Sequence, residues 1–286
     1  MLLPCLDVGT TNTEIYGVWS LKRIVFLISG LLFATTAWAA DKPIVLLAGA
    51  TGETGLHIVR ALSEKGYAVR GLTRDIAKAK SQNGEMAEWV VGDVRDIAKL
   101  KQDFAGAAYA ISAIGSREKD GPNNFENVDW LGNRNLIDAA KAAGVKHFVL
   151  MTSGSAGSGD WNDPEVQKFG AGRLWKGKAE AYLRDSGLKY TIVAPGGLRN
   201  YKGGEKGILL RPRAQYTVGV ISRDDVAAVI VECLSNTACN SKTITTINAD
   251  NLKPLAWRMA LPDLPIDTPD TIRLVAKPVA TEGSKP

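Results

Sequence analysis

Apolar positions between Pro43 and Gly197 follow two alternating rhythms. Short continuous runs (IVLLAG, YAVRGLTR, EWVVGD, AAYAISAIG, KHFVLMTS and KYTIVAPGG) are separated by stretches of helical period, such as TGLHIVRALSEKG and the long NNFENVDWLGNRNLIDAAKAAG that ends at Gly144. Strands and helices in this order predict βαβ units and a parallel sheet. Runs this uniformly apolar are expected where helices cover both faces. The predicted fold class is therefore α/β, a Rossmann-like doubly wound parallel sheet.

Beyond Gly197 the pattern loosens. LRNYKGGEKGILLRPRAQYTVGV has no clear period, SRDDVAAVIVECL predicts a helix with Ser222 as N-cap, and KTITTIN predicts a further strand. This part is expected to form a small C-terminal substrate lobe. Its basic residues Arg199, Lys202, Lys206, Arg211 and Arg213, with Gly203, Gly204 and Gly207 among them, suit either a mobile lid over an anionic ligand or a solvated loop. The expected organisation is an N-terminal extension with a signal peptide (1–40), one domain that includes the lobe (41–250), and a tail (251–286), either a wrapping arm or partly disordered.

The chain of 286 residues is 45% hydrophobic, enough for a sizeable core. Lys+Arg of 35 against Asp+Glu of 30 leaves a net +5 that is spread rather than clustered, which argues against nucleic acid as a partner. With two histidines, His57 and His147, and three cysteines, none in a Cys-x-x-Cys pair, no metal site is expected. Lys22-Arg23, the uncharged IVFLISGLLFATTAWA and Ala37-Trp38-Ala39 match a signal peptide cleaved after Ala39. The expected location is periplasmic or secreted, with an uncleaved membrane anchor, the chain's one expected membrane contact, or a buried helix as alternatives. In an oxidising compartment Cys233 and Cys239 would form either a local disulfide or a buried and a free thiol.

The first chemical motif is GATGETG, between the first strand and the first helix. Gly49 permits a tight turn, Gly52 lets backbone approach a pyrophosphate, and Gly55 lets the helix pack on the strand. Thr51, Glu53 and Thr54 complete the turn and the helix N-terminus, whose N–H groups and dipole suit phosphate. After the second strand, where an acid would bind a ribose 2′-hydroxyl, stands Arg74, which suits a 2′-phosphate or is a solvated strand-end charge. Arg70 points the same way. The expected cofactor is NADP(H), with NAD(H) less favoured.

These segments, taken with RGLTRD, VVGDVRD, HFVLMTSGS, LKYTIVAPGGL and GVISRDDVAAVIVECL, resemble an atypical short-chain dehydrogenase/reductase of the NmrA-like, NAD(P)-binding kind over residues 43–248. The resemblance implies that Gly92-Asp93, with Val94 following, contacts adenine and that Ala113, Ile114 and Gly115 border the cofactor. It also implies a serine or threonine at the end of the fifth strand, here Thr152-Ser153. The family's Arg-Pro-Gly-Gly after the sixth strand is here Ala194-Pro195-Gly196-Gly197, so Pro195 and Gly196 are carried over and the arginine is absent.

Ordinary members place Tyr-x-x-x-Lys on the helix before the sixth strand, so that lysine and tyrosine share a face and the tyrosine exchanges a proton with substrate. In AGRLWKGKAEAYL the spacing Lys176, Glu180, Leu183 matches the family's Lys-x-x-x-Glu-x-x-Leu, yet position 172 is glycine. Tyr182 falls on a packing face with Trp175 and Ala179, and Trp130, Asn133 and Asn135 read as packing and capping. Lys176 and Ser153 are the candidate catalytic residues, and Ser153, Asp160, Asp163 and Tyr201 the candidate proton donors. Two functions follow: an NADP(H)-dependent oxidoreductase acting on an unknown small molecule, or an NADP(H) sensor or interaction protein without turnover. An epimerase or dehydratase is a third, disfavoured by the missing tyrosine.

Overall fold

The computed structural model describes residues 42–117, 121–156, 162, 167 and 171–273. The signal-peptide-like residues 1–40 and the candidate acids Asp160 and Asp163 lie outside them.

Among the described residues one eight-stranded sheet is built from β1 (Ile44–Ala48), β2 (Ala68–Thr73), β3 (Glu88–Val91), β4 (Tyr109–Ser112), β5 (His147–Met151), β6 (Tyr190–Pro195), β8 (Gly207–Pro212) and β10 (Lys242–Ala249). The order is β3-β2-β1-β4-β5-β6-β10-β8, every neighbouring pair being parallel except β10 with β8. β7 (Gly197–Arg199) and β9 (Val220–Ser222) form a separate two-stranded parallel ribbon. The helices are α1 (Glu53–Glu64), α2 (Ile76–Asn83), α3 (Ile97–Asp103), α4 (Asn133–Ala143), α5 (Ala171–Asp185), α6 (Arg223–Glu232), α7 (Trp257–Ala260) and α8 (Pro269–Ile272).

The side-chain alternation of β1 shows why the sheet is doubly wound. Val45 and Leu47 face a core with Ile58, Val59 and Leu62 of α1 and Val226 and Ile230 of α6. Leu46 and Ala48 face the other core, with Leu100 of α3, Leu136 and Ile137 of α4, and Leu183 of α5. Burying each large aliphatic side chain contributes roughly 1.5–3 kcal/mol before chain entropy is counted. The predicted caps form: Gly144 closes α4 at φ +67°, and the Ser222 hydroxyl accepts from the backbone of Asp224 and Asp225 at the start of α6.

Of the two expectations for the basic stretch after Gly197, a lid or a solvated loop, its charges fit the second, and the stretch also supplies an edge strand. β8 is an antiparallel edge strand of the main sheet, and its basic neighbours are partnered: Lys202 with Glu205 (3.3 Å), Lys206 with Asp250 (2.9 Å) and Arg211 with Gln215 (3.2 Å). The small lobe thus reduces to the β7–β9 ribbon and its loops. The described part of the aperiodic tail, residues 251–273, is anchored at two points, Trp257 and Leu261, which are buried, and the Leu261 carbonyl accepts from Lys242 Nζ at 2.8 Å. Periodicity missed this segment because it is anchored by single residues, not by a stripe. Cys233 at the end of α6 and Cys239 form a disulfide with their Cα atoms 5.4 Å apart. Without reductant neither is expected to alkylate in the unfolded chain, as peptide mapping would show.

His147 is buried at the start of β5 with Nε2 2.9 Å from the Thr191 hydroxyl, and burial, helped by the charge of Lys189, lowers its pKa from 6.5 to about 4. Below pH 6.5 the unfolded chain takes up a proton that the folded chain refuses until about pH 4. Stability contributed by neutral His147 is therefore complete above pH 6.5 and lost towards pH 4, by at most about 3 kcal/mol. Melting temperatures across this range should fall less steeply for His147→Gln than for wild type.

Candidate functional site

The carboxyl ends of β1, β4 and β5 meet around the glycine turn. Gly49 takes φ +86°, and a Cβ there would stand 2.7 Å from the carbonyl oxygen of Ala113, the residue after β4. A Cβ at Gly55 would collide with the Gly49 carbonyl, so both positions require glycine for the turn to pack. The Gly52 amide donates to Gly49 O at 3.0 Å, and α1 begins at Gly52 with no side-chain cap. The uncapped first turn and the missing side chains form a cradle that fits a pyrophosphate. Thr54 is buried and Thr51 half-buried, while Glu53 is exposed and paired with Arg117 (3.2 Å) and with Arg223 (2.6 Å) at the start of α6.

At the far side of the turn Arg74 follows β2 and donates to Asn123 Oδ1 at 3.1 Å. Asp93, after β3, is gripped by Arg95 through Nε (2.9 Å) and Nη2 (2.5 Å), and Arg95 Nη1 donates to the Pro122 carbonyl at 3.0 Å. The Arg95 hydrogen bond holds the Asp93 carboxyl below its ordinary pKa against the effect of burial, and the charge of Arg74 adds to this. Arg70 corrects the sequence expectation. Its guanidinium is consumed by Glu88 (2.9 Å) and the carbonyls of Asp103 (2.9 Å) and Ala105 (2.7 Å), so it takes no part in this end of the site.

Lys176 is placed by a residue to which the sequence pattern assigned no chemistry. Its Nζ donates to Asp129 Oδ1 at 2.5 Å, while Asp129 Oδ2 accepts from the Ser116 amide at 2.9 Å. Asp129 is fully buried, and a Cβ on Gly115 would lie 3.3 Å from the ammonium, so the glycine leaves Lys176 room at the end of β4. Asp129 lies in a π-helical segment, Glu126–Gly132, that runs directly into α4; such wide turns recur at functional sites. Gly132 lets this segment approach Val94 and Ile114 closely. Asn133 donates to the Asp129 carbonyl at 2.8 Å and pairs with the Ser112 hydroxyl at 2.5 Å. The signal was present: Asp129, Asn133, Leu136, Ile137 and Ala140 form one buried stripe, and an acid on such a stripe needs a partner.

At position 172, where a tyrosine would stand, the glycine faces Phe125, whose ring is 3.4 Å from a built Cβ. Tyr182 packs edge-on against Trp130 (5.6 Å) and donates to Asp138 at 2.7 Å, as its packing face predicts. Tyr201 is removed from the donor candidates because its hydroxyl is given to Asn248 at 2.7 Å.

The β5 end is held by a buried ionic network. Thr152 Oγ1 donates to Glu180 Oε1 at 2.6 Å, and the same carboxylate pairs with Arg213 Nη2 and, through Oε2, with Arg184 at 3.1 Å. Arg213 Nη1 also donates to the carbonyls of Ser153 (2.9 Å), Gly154 (3.1 Å) and Ala156 (3.2 Å), so a residue expected in a lid or a solvated loop instead clamps the loop after β5. Ser153 is half-buried with its hydroxyl 3.1 Å from that of Ser155. The Pro195 carbonyl accepts from the Gly154 amide at 2.8 Å, and Gly196 packs on Gly219.

Residues 49–237 match the model of a family described as NAD(P)H-binding. The chain is 36% identical to sanguinarine reductase of Eschscholzia californica over 240 residues, 68% of this chain and 85% of that protein. It is 37% identical over 224 residues to an uncharacterized chloroplastic protein of Arabidopsis thaliana, 70% and 68% of the two chains. Among solved structures, an anaerobilin reductase from Escherichia coli O157:H7 superposes with TM-score 0.60 at 27% identity, over 74% of this chain and 99% of that one. The comparisons correct the expected periplasmic or secreted location and its membrane-anchored alternative. Several matched relatives are chloroplastic proteins, and no helix among the described residues is long and apolar enough to cross a membrane.

Arg213→Ala would leave Glu180 buried without its main partner and free the loop carrying Ser153. Denaturant unfolding should show a loss of about 3–5 kcal/mol.

Proposed function

The chain belongs to the NAD(P)H-binding family, and from the site it carries we propose that it is an NADPH-dependent reductase of small conjugated acceptors, of the atypical short-chain, NmrA-like kind. The observation that carries this reading is the convergence of Lys176, Asp129 and Gly115 on the end of β4 beside the glycine turn. The reduced nicotinamide supplies hydride when bound. The turn from Gly49 to Gly55, with Thr51, Glu53 and Thr54, would take the pyrophosphate on the uncapped N-terminus of α1. Asp93 and Val94 would border the adenine, Arg74 would pair with a 2′-phosphate, and Ala113, Ile114, Gly115, Pro195 and Gly196 would line the nicotinamide half. Lys176, held by Asp129, would donate to the nicotinamide ribose, with Ser153 turned towards the acceptor.

A conjugated acceptor fits a site with glycine at position 172, because delocalisation spreads the charge that a carbonyl oxygen would concentrate. Relatives named for the reduction of sanguinarine and anaerobilin agree with this choice. Gly172 also favours a second reading, an NADP(H)-binding protein without turnover, and weighs against an epimerase or dehydratase.

NADPH should bind more tightly than NADH, and Arg74→Ala should erase about 10-fold of that preference through the loss of a charge-assisted bond. Nucleotide fluorescence titration measures this. Oxidation of NADPH should occur with at least one member of a panel of iminium, azo and quinone acceptors and fall about 10- to 100-fold in Lys176→Ala. Nucleotide binding without turnover on the whole panel would leave the second reading standing.

A further inference from the structure

The reductase reading leaves a proton unassigned. Five described tyrosines are unsuited to deliver it. Tyr182, Tyr190, Tyr201 and Tyr67 give their hydroxyls to Asp138, Asp267, Asn248 and Ser235, and Tyr109 opens β4 at its amino end, away from the strands' carboxyl ends, and stacks edge-on against Tyr67. The Thr152 hydroxyl is bound to Glu180.

Tyr216 differs. It follows the turn after β8, with its amide donating to the Arg213 carbonyl at 2.9 Å, so the clamp that holds the β5 loop also holds this residue. Its ring lies over Gly154, next to Ser153: a Cβ on Gly154 would overlap Cε2, Cζ and Cδ2, one side of the ring. Gly154 is thus a glycine because an aromatic ring occupies its side-chain space. Arg173, whose charge acts on the Tyr216 phenol, lies three residues before Lys176 and so on an adjoining strip of α5. Gly172, four residues before Lys176, lies on the other flank and faces Phe125. Phe125, from the start of the π segment, meets the Lys176 strip at Gly172, while Tyr216, from the turn after β8, meets the loop after β5 at Gly154.

We propose that the Tyr216 hydroxyl is the proton donor of the reduction, taking the place of the tyrosine missing at position 172. The proposal rests on the reductase reading. On an azo acceptor, hydride from the reduced nicotinamide dinucleotide forms one new bond to a nitrogen of the double bond; an iminium, neutralised by hydride alone, needs no donor. The Tyr216 O–H breaks, its proton bonds to the other atom, and the phenolate left behind regains a proton from solvent. The Tyr216 phenol is pushed above its ordinary pKa by burial, with Arg173 and Arg213 opposing, so it carries its proton at neutral pH. The charged groups acting on it are Arg173 from α5 and Arg213 from its own turn, and Gly154 of the β5 loop lies against its ring.

The test uses the full-length chain with Tyr216→Phe and Gly154→Ala. In Tyr216→Phe, kcat on an azo acceptor should fall about 100-fold or more with the NADPH KM unchanged, and the alkaline limb of the pH profile should disappear. Gly154→Ala, which displaces the ring, should lose activity without loss of NADPH binding. In parallel, equilibrium binding of the azo dye with NADP+ present, where no reduction occurs, should weaken about 10-fold in Tyr216→Phe at neutral pH. Turnover and dye binding both equal to wild type in Tyr216→Phe would overturn the proposal. If wild type turns over no acceptor, the reductase reading falls by itself, and the dye-binding comparison alone decides whether Tyr216 contacts the acceptor.

Discussion

The carboxylate of Glu180 is the point on which the carboxyl end of the sheet around β5 depends. It stands inside the protein with Thr152, Arg184 and Arg213 around it, and each of these partners belongs to a different part of the chain. Thr152 follows β5, Arg184 lies in the last turn of α5, and Arg213 follows β8. Arg184 extends the network to Asp267, which also accepts from Thr243 and Tyr190. An unpaired charge at this depth would cost several kcal/mol, so the network is all or nothing: its members stay together or the edge opens. The loop after β5, the helix bearing Lys176 and the C-terminal arm are held in one geometry by this requirement.

The same logic, at smaller scale, sets the lysine. Lys176 lies one helical turn before Glu180, so the helix that anchors in the buried network delivers the ammonium to Asp129. Asp129 is oriented in turn by the Ser116 amide at the end of β4. The end of β4, the lysine and the loop after β5 are coupled through two buried carboxylates on two helices. Position 172 can therefore be glycine without disturbing the lysine, since nothing in its placement runs through that residue.

Most of the fold was legible along the chain. Continuous apolar runs marked β1 to β6, the helical period marked α1 and α4, and Gly144 and Ser222 marked helix ends. β8 was not legible because an edge strand, paired on one side, needs only a few buried residues such as Ile208 and Leu210. The cofactor turn was legible because its glycines answer to backbone geometry, which is local. Arg70 and Arg74 looked alike in sequence, yet they stand on opposite sides of the decision between structural and available charge. Arg70 spends its donors on Glu88 and two carbonyls, whereas Arg74 keeps company with Asn123 and Asp93.

The sequence by itself determined the doubly wound sheet, the nucleotide turn and the absence of a tyrosine four residues before Lys176, because periodicity, glycine spacing and helical offset are properties of neighbouring residues. Only the tertiary structure decided that Asp129 holds the lysine, that Arg213 is a clamp and not part of a lid, and that Tyr216 rests on Gly154. Each of these joins residues more than 40 positions apart. Which charges are buried together, and which aromatic ring fills a missing side chain, depends on the packing of helices across a sheet and leaves no period in the chain.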